Sequence, residues 1–209
     1  MDRSLQADWQ KRKGKSSADL VAFATRTICP LQSACECAYS KTMQALINLG
    51  IVVASVAFME FVAWWSHKYV MHGWGWDWHR DHHEPHNNTF EKNDLYAIVG
   101  SAISISLFII GAWLWEPATW MGIGVMIYGA IYTLIHDGLV HQRYFRWVPK
   151  SGYAKRLVQA HKLHHATIGK EGGVSFGFIV AEDPIKLKQE LKRQREAGIA
   201  VVRDSVGAA

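Results

Sequence analysis

Histidine occurs eleven times in this 209-residue chain, and ten of those residues fall into two runs that repeat one spacing. The first run is His67-x4-His72 followed by His79-x2-His82-His83. The second is His136-x4-His141 followed by His161-x2-His164-His165. The order HxxxxH then HxxHH is a repeat of chemistry, because the residues between the histidines differ. Residues 1–66, 87–135 and 166–209 contain no histidine, which argues against chance scatter. Imidazole suits zinc, copper, iron and nickel, and at roughly four or five nitrogens per ion ten histidines fit two ions. On an α-helix HxxHH places its histidines at i, i+3 and i+4, on one face. The HxxxxH pair is different: on an ideal helix its members point about 140° apart. It converges on a metal only near a helix end or at a distortion, and Gly138 interrupts the second pair. His86, after Pro85, stands outside the paired pattern.

The elements that must position these residues are three apolar runs. Residues 43–65 carry Glu60 as their one charge, and residues 95–115 and 117–135 carry none. Each approaches or exceeds the roughly 20 residues that cross a bilayer as helix. Each is apolar around its circumference, as a lipid-embedded helix must be. Trp64, Trp65, Trp113 and Trp115 sit at the run ends, where interfacial aromatics belong. The link at Glu116-Pro117 is so short that the second and third runs form an antiparallel hairpin. Residues 66–94 and everything after 135 then lie on the same membrane side, and these regions hold every histidine. The expected fold is an all-α integral membrane protein. It has about three transmembrane helices, a fourth being left open, and a cytoplasmic helical cap that carries the histidine-rich site.

The composition narrows the metal. Cys29, Cys35 and Cys37 form no zinc-type pair of pairs and read as reduced and incidental. There is no HExxH of a zinc protease and no ExxH of the soluble di-iron carboxylate bundles. Structural zinc prefers cysteine or a closed set of four ligands. A histidine-rich site facing the membrane leaves iron with O2 as the best candidate, because iron changes oxidation state and can attack an unactivated C–H bond in a lipid-dissolved substrate. The net charge of +5 resides in the ends of the chain. Beside membrane spans it reads as attraction to lipid headgroups rather than to nucleic acid.

Three segments carry a resemblance. They are HKYVMHGWGWDWHRDHHEPHNNTFEKNDLYA (67–97), HDGLVHQRY (136–144) and HKLHHATIGKEGGVSFGF (161–178). They resemble the fatty acid hydroxylase and desaturase superfamily of membrane non-haem di-iron enzymes and, more narrowly, the bacterial β-carotene 3-hydroxylases. The likeness covers about residues 43–190, and HDGLVHQR and GKEGGVSFGF are more specific than histidine spacing alone. It implies two ferrous ions (Fe2+) held by His67, His72, His79, His82, His83, His136, His141, His161, His164 and His165, with O2 as co-substrate. It also implies C3 hydroxylation of β-carotene to β-cryptoxanthin and zeaxanthin, with canthaxanthin to astaxanthin as an extension, and a ferredoxin-type electron donor. The implied location is the bacterial inner membrane with the histidines on the cytoplasmic face. Fatty acid or sterol hydroxylation or desaturation remains the alternative within the superfamily. A non-catalytic metal-binding or transport protein is the alternative outside it.

Ligating histidines donate their second N–H to an acceptor. Candidate acceptors or neighbours are Glu60, Asp81, Glu84, His86 and Asp137. Glu60 is singled out because an intramembrane acid is a functional candidate by default. Asn93-Asp94 reads as the N-terminal cap of the second span. GGVSFGFIV (172–180) is too short to span and either lies at the interface or packs beneath the metal site. PIKLKQELKRQR (184–195) reads as a basic, headgroup-facing helix, with docking of an acidic ferredoxin as the sharper alternative. Residues 1–42 read as a dispensable extension, with Met43 where bacterial relatives of this type begin and an upstream start codon as its origin. Within it, segment 18–39 is expected to break at Arg26 and Pro30. Residues 191–209 read as a basic C-terminal tail.

Overall fold

The computed structural model describes residues 17–84, 90–144 and 146–203, with side chains from residue 38 onward. Among these residues no β-strand forms; an isolated antiparallel bridge joins Thr167 and Val202. The helices are α1 (Ser17–Trp65), α2 (Trp76–His83), α3 (Asp94–Trp113), α4 (Pro117–Tyr132), α5 (Gly152–His164) and α6 (Pro184–Glu196). Two π-helical segments, Ser66–Trp74 and Thr133–Val140, extend α1 and α4.

Residues 1–48 and 49–209 are two compact units. In the first, α1 begins at Ser17 and passes Arg26 and Pro30 without the expected break. A proline removes one ladder hydrogen bond at about 3 kcal/mol, and helix-favouring Ala22, Ala24, Leu31 and Ala34 carry the helix across. The side chains of Cys29, Cys35 and Cys37 lie outside the described residues.

The stretches long and apolar enough to cross a membrane are Ala38–Trp74, Asp94–Trp113 and Pro117–Val140. These match the three expected runs, but the first and third continue into the π-helical segments. Ile98, Ile103, Ile105 and Ile109 of α3 and Met126 and Ile127 of α4 stay exposed, as lipid-facing side chains do. Small residues bring the spans together. A side chain on Gly124 would put its Cβ 2.5 Å from Ser55 Cβ and 3.0 Å from the Val52 carbonyl, so α4 meets α1 backbone-close. Ser104 in α3 donates to the Gly122 carbonyl of α4 at 3.0 Å. Pro117 opens α4 at the position where a missing N–H leaves nothing unpaired.

A second core lies in the C-terminal part. Leu157, Ala160 and Leu163 of α5 pack with Leu187 and Leu191 of α6, and with Val174 and Ala181 between them. Burying a leucine side chain is worth roughly 1.5–3 kcal/mol. Leu191 is 4% exposed and Ala200 5%, so the packed unit continues past residue 190 where the sequence suggested a tail. Residues 199–203 return beside α5, with Ile168 N–H donating to the Val201 carbonyl at 2.7 Å and Arg203 N–H to the Ala166 carbonyl at 2.9 Å.

Gly124→Leu is expected to lower the thermal midpoint of the detergent-solubilised protein, because overpacking typically costs about 1–3 kcal/mol. Gly100→Ala, whose added Cβ meets nothing within 4 Å, should leave the midpoint unchanged or slightly raised. Differential scanning of both variants checks the pair.

Candidate metal centre

The π-helical segments explain how HxxxxH converges. In an i→i+5 ladder the turn is wider than in an α-helix, so residues five apart come onto a shared face. The His141 N–H donates to the His136 carbonyl at 2.9 Å, an i→i+5 bond between the two histidines themselves. In the first segment Gly75 N–H reaches the Val70 carbonyl at 2.8 Å, and Gly73 leaves helical geometry at φ −115°, ψ −122°. A side chain on Gly75 would displace the Tyr96 hydroxyl, 2.3 Å from the added Cβ, and crowd the Val70 carbonyl at 3.0 Å.

The ten histidines of the paired pattern come together as two groups. His67, His72, His79, His83 and His164 form one, with potential ligand atoms within 4.8 Å of one another. His82, His136, His141 and His161 form the other. His165 joins the second through Nε2, 2.8 Å from His161 Nε2.

This division has a rule. Each HxxxxH pair serves one group, 67/72 the first and 136/141 the second. Each i, i+4 pair joins it, 79/83 with the first and 161/165 with the second. The i+3 histidine of each HxxHH crosses over: His82 from α2 goes to the second group and His164 from α5 to the first. The centre is pseudo-twofold, and the repeated spacing in the sequence is its imprint.

The nitrogens fit a metal. Within the first group, Nε2 of His67 and His79 are 3.1 Å apart, His79 and His83 3.2 Å, His72 and His164 3.2 Å, and His83 and His164 3.2 Å. In the second, His82 and His136 are 3.2 Å apart and His141 and His161 3.0 Å. Imidazole–metal bonds of about 2.1 Å place neighbouring ligand nitrogens about 3 Å apart. Five inward Nε2 atoms exceed a closed tetrahedral zinc set. Burial also favours the neutral imidazole that a metal requires. It pushes His79, His82, His161, His164 and His165 well below the ordinary range, His83 down to about 3 and His141 down to about 2. Neighbouring imidazoles add to the effect.

Six of the outward nitrogens have partners. His67 Nδ1 donates to the Phe176 carbonyl at 3.0 Å, His72 Nδ1 to the Lys170 carbonyl at 3.0 Å and His164 Nδ1 to the Val174 carbonyl at 2.9 Å. His79 Nδ1 donates to Asn93 Oδ1 at 2.7 Å, His82 Nδ1 to Glu91 Oε2 at 2.6 Å and His136 Nδ1 to Asp137 Oδ1 at 2.7 Å. His83 Nδ1 is buried without a hydrogen bond, although the Thr167 backbone lies near enough to favour its charged form.

Of the acids singled out from the sequence, Asp137 holds a histidine. Asp81 instead accepts the Lys92 N–H at 2.7 Å, and Glu84 faces Arg80 at 3.8 Å on the surface. Both flank His82 and His83 in sequence but point away from the rings, since neighbours on a helix do not share a face. His86 lies outside the described residues. Asn93 and Glu91 do what was assigned elsewhere: Asn93 is buried against His79 and makes no side-chain cap to α3. Asp94 pairs with both terminal nitrogens of Arg143, at 2.9 and 3.0 Å.

Glu60 reaches no histidine. Its Oε1 accepts three backbone N–H groups, from Phe178 at 3.1 Å, Ile179 at 2.9 Å and Val180 at 3.0 Å, and its Oε2 accepts the Tyr128 hydroxyl at 2.7 Å. Glu60 thus fixes the 172–180 segment against the spans. That segment packs beneath the centre: Phe178 stacks on His67 with ring centroids 4.9 Å apart, and the Val174 and Phe176 carbonyls orient His164 and His67.

The model of the fatty acid hydroxylase family matches residues 52–182. The beta-carotene hydroxylase of Pantoea ananas is 50% identical over 161 residues, covering 77% of this chain and 92% of that protein. That of Pseudescherichia vulneris is 52% identical over 152 residues, covering 72% and 85%. The chloroplastic beta-carotene 3-hydroxylase of Haematococcus lacustris is 38% identical over 147 residues, 66% of this chain and 45% of that protein. No solved structure matches the chain significantly.

Glu60→Ala is expected to lower both thermal midpoint and iron content of the purified protein, because each unpaired buried donor costs about 1–3 kcal/mol. Tyr128→Phe, which removes one hydrogen bond of about 1 kcal/mol, should lower the midpoint less and retain iron. Elemental analysis beside calorimetry checks the order.

Proposed function

We propose that this chain, which belongs to the fatty acid hydroxylase family, is a carotenoid ring hydroxylase that converts β-carotene through β-cryptoxanthin to zeaxanthin. The reading rests on one observation above the rest: nine paired histidines converge in two groups, with His165 joined through His161, beside the ends of membrane-capable helices, in a chain half identical to beta-carotene hydroxylases over most of its length. Hydroxylation at the same ring position of canthaxanthin, giving astaxanthin, is the extension.

His67, His72, His79, His83 and His164 hold one iron, and His82, His136, His141, His161 and His165 the other. When bound, the two ferrous ions supply the reductive activation of O2 that places one oxygen atom on a ring carbon and releases the other as water. The chain does the rest. Acceptors on the outward nitrogens of His67, His72, His79, His82, His136 and His164 fix their tautomer, so the Nε2 lone pairs of these six point inward. Tyr132 stacks on His136 at 4.6 Å and meets Phe178 at 4.9 Å, an aromatic floor between the centre and the span interior. The spans deliver a substrate that water does not dissolve.

The histidine face is the cytoplasmic one in a bacterial inner membrane. The α3–α4 turn, Leu114 to Glu116, carries no basic residue, whereas Lys68, Arg80, Lys92, Arg143 and the segments after it lie on the opposite side. A ferredoxin-type protein is the electron donor, and the exposed lysines and arginines of α6 offer it a basic surface. Residues 1–42 are dispensable on this reading; they lie outside the family match, which covers 52–182.

Expression in β-carotene-producing bacterial cells is expected to yield zeaxanthin, and His82→Ala to yield none. A chain begun at Met43 should keep the activity. Pigment chromatography with membrane abundance and iron content measured alongside checks all three. Unchanged β-carotene with iron-loaded wild-type protein in the membrane would refute the carotenoid assignment.

A further inference from the structure

The pseudo-twofold relation pairs the ligands: His67 with His136, His72 with His141, His79 with His161, His83 with His165, and the crossed-over His164 with His82. Every ligand is an imidazole, so the two groups match in kind and number. Their acceptors do not match. At the HxxxxH lead position, His67 donates to the Phe176 backbone carbonyl while His136 donates to the Asp137 carboxylate. At the crossed-over position, His164 donates to the Val174 carbonyl while His82 donates to the Glu91 carboxylate. The same substitution of carboxylate for amide oxygen occurs twice, both times in favour of the second group. The remaining acceptors seen in the first group, Lys170 carbonyl and Asn93 amide, are neutral as well.

Formal charge near the rings follows the same division. Arg203 donates to the His83 carbonyl, placing a cation beside the first group. Around the second group stand Glu91, Asp137 and Asp94 with the cation Arg143, which lies 2.9 Å from Asp94 and 3.7 Å from Asp137. Among the described residues two of these carboxylates touch second-group rings directly, whereas Glu171, the carboxylate felt by His72 in the first group, faces Lys170 at 4.0 Å. Glu91 and Asp137 are shielded, at 12% and 13% exposure, so water screens them little.

We infer that the two metal positions are electronically inequivalent, the one built on His82 and His136 stabilising the higher metal charge. An imidazole whose N–H faces a carboxylate is a stronger electron donor than one facing an amide, and buried negative charge favours the more oxidised ion. Ligand donation and through-space charge therefore act in the same direction. The inference rests on the two-iron reading above and goes beyond it: the first electron delivered to the oxidised centre settles on the iron of His67 and His164.

The test is a potentiometric titration of the iron-loaded, detergent-solubilised protein, followed by Mössbauer spectroscopy and paired with iron content. Wild type is expected to take up two electrons in two resolved one-electron steps, with a valence-localised state between them. Glu91→Gln should shift the lower midpoint potential upward and narrow the gap. Asn93→Asp places a carboxylate on His79 of the first group, so it should shift the higher midpoint downward and also narrow the gap. A single two-electron step in wild type, or a Glu91→Gln shift in the higher midpoint, or an Asn93→Asp shift in the lower one, would overturn the inequivalence. Asn93→Asp decides the matter even where Glu91→Gln does not load iron, because two equivalent neighbouring irons would also separate by mutual interaction while only inequivalent ones answer to this variant in the higher midpoint alone. One iron per chain in wild type would overturn the two-iron reading along with it, whereas two irons without separation would overturn the inequivalence alone.

Discussion

Ten imidazole rings packed into two adjoining groups pose one electrostatic demand: they must stay neutral and direct one nitrogen inward while the other keeps its proton and donates it in a hydrogen bond. Protonated rings at ring-centroid separations of 4.3–6.4 Å would repel across a largely buried site. A buried N–H without a partner would forfeit about 1–3 kcal/mol. Much of the fold outside the spans meets this demand. The 170–178 segment forms no regular structure yet supplies three backbone carbonyls to His72, His164 and His67. Residues 91–93 supply Glu91 and Asn93 from the entry to α3. Glu60 reaches the centre indirectly, by holding the segment that carries the carbonyls.

The membrane imposes the second constraint. Spans need lipid-facing apolar surface and internally satisfied backbone, and metal ligands need polar neighbours. The chain separates the two by extending α1 and α4 into π-helical turns just where the apolar runs end. A π turn is rare and concentrates at functional sites. Here its use is geometric: it converts a five-residue spacing into a shared face. An i, i+4 pair on a plain α-helix would also share a face. The five-residue spacing and the π turn therefore go together, and each makes sense of the other.

The sequence made the ligands legible because histidine spacing is a first-order signal, and it made the spans legible because hydropathy is one. The i, i+5 pairs were readable only as a requirement for some distortion, since nothing in HKYVMH or HDGLVH specifies a π turn over a helix end. The acceptors were harder. Asp81 and Glu84 adjoin His82 and His83 in sequence, but adjacency on a helix separates side chains in space. Glu91 lies nine residues from His82 and Asn93 fourteen from His79, so only the return of the chain into α3 joins them. Backbone carbonyls carry no sequence signal at all. Leu187 and Leu191, four apart on α6, did announce a buried face, which the basic residues around them obscured.

The crossing of His82 and His164 has a mechanical consequence that neither half of the chain could produce alone. Each metal position is completed by a side chain from the other repeat's helix, so neither is whole until α2 and α5 have docked. In the metal-free chain the docked state must tolerate inward-facing nitrogens without ions between them, and it is held by the acceptor network and the aromatic contacts of Phe176 and Phe178. Binding free energy that appears only in the docked state is folding free energy. On the two-iron reading, a first ion in either position would hold the helix that also serves the second, because His82 shares α2 with His79 and His83, and His164 shares α5 with His161 and His165. The geometry thus links the two histidine groups through shared helices rather than through a shared side chain.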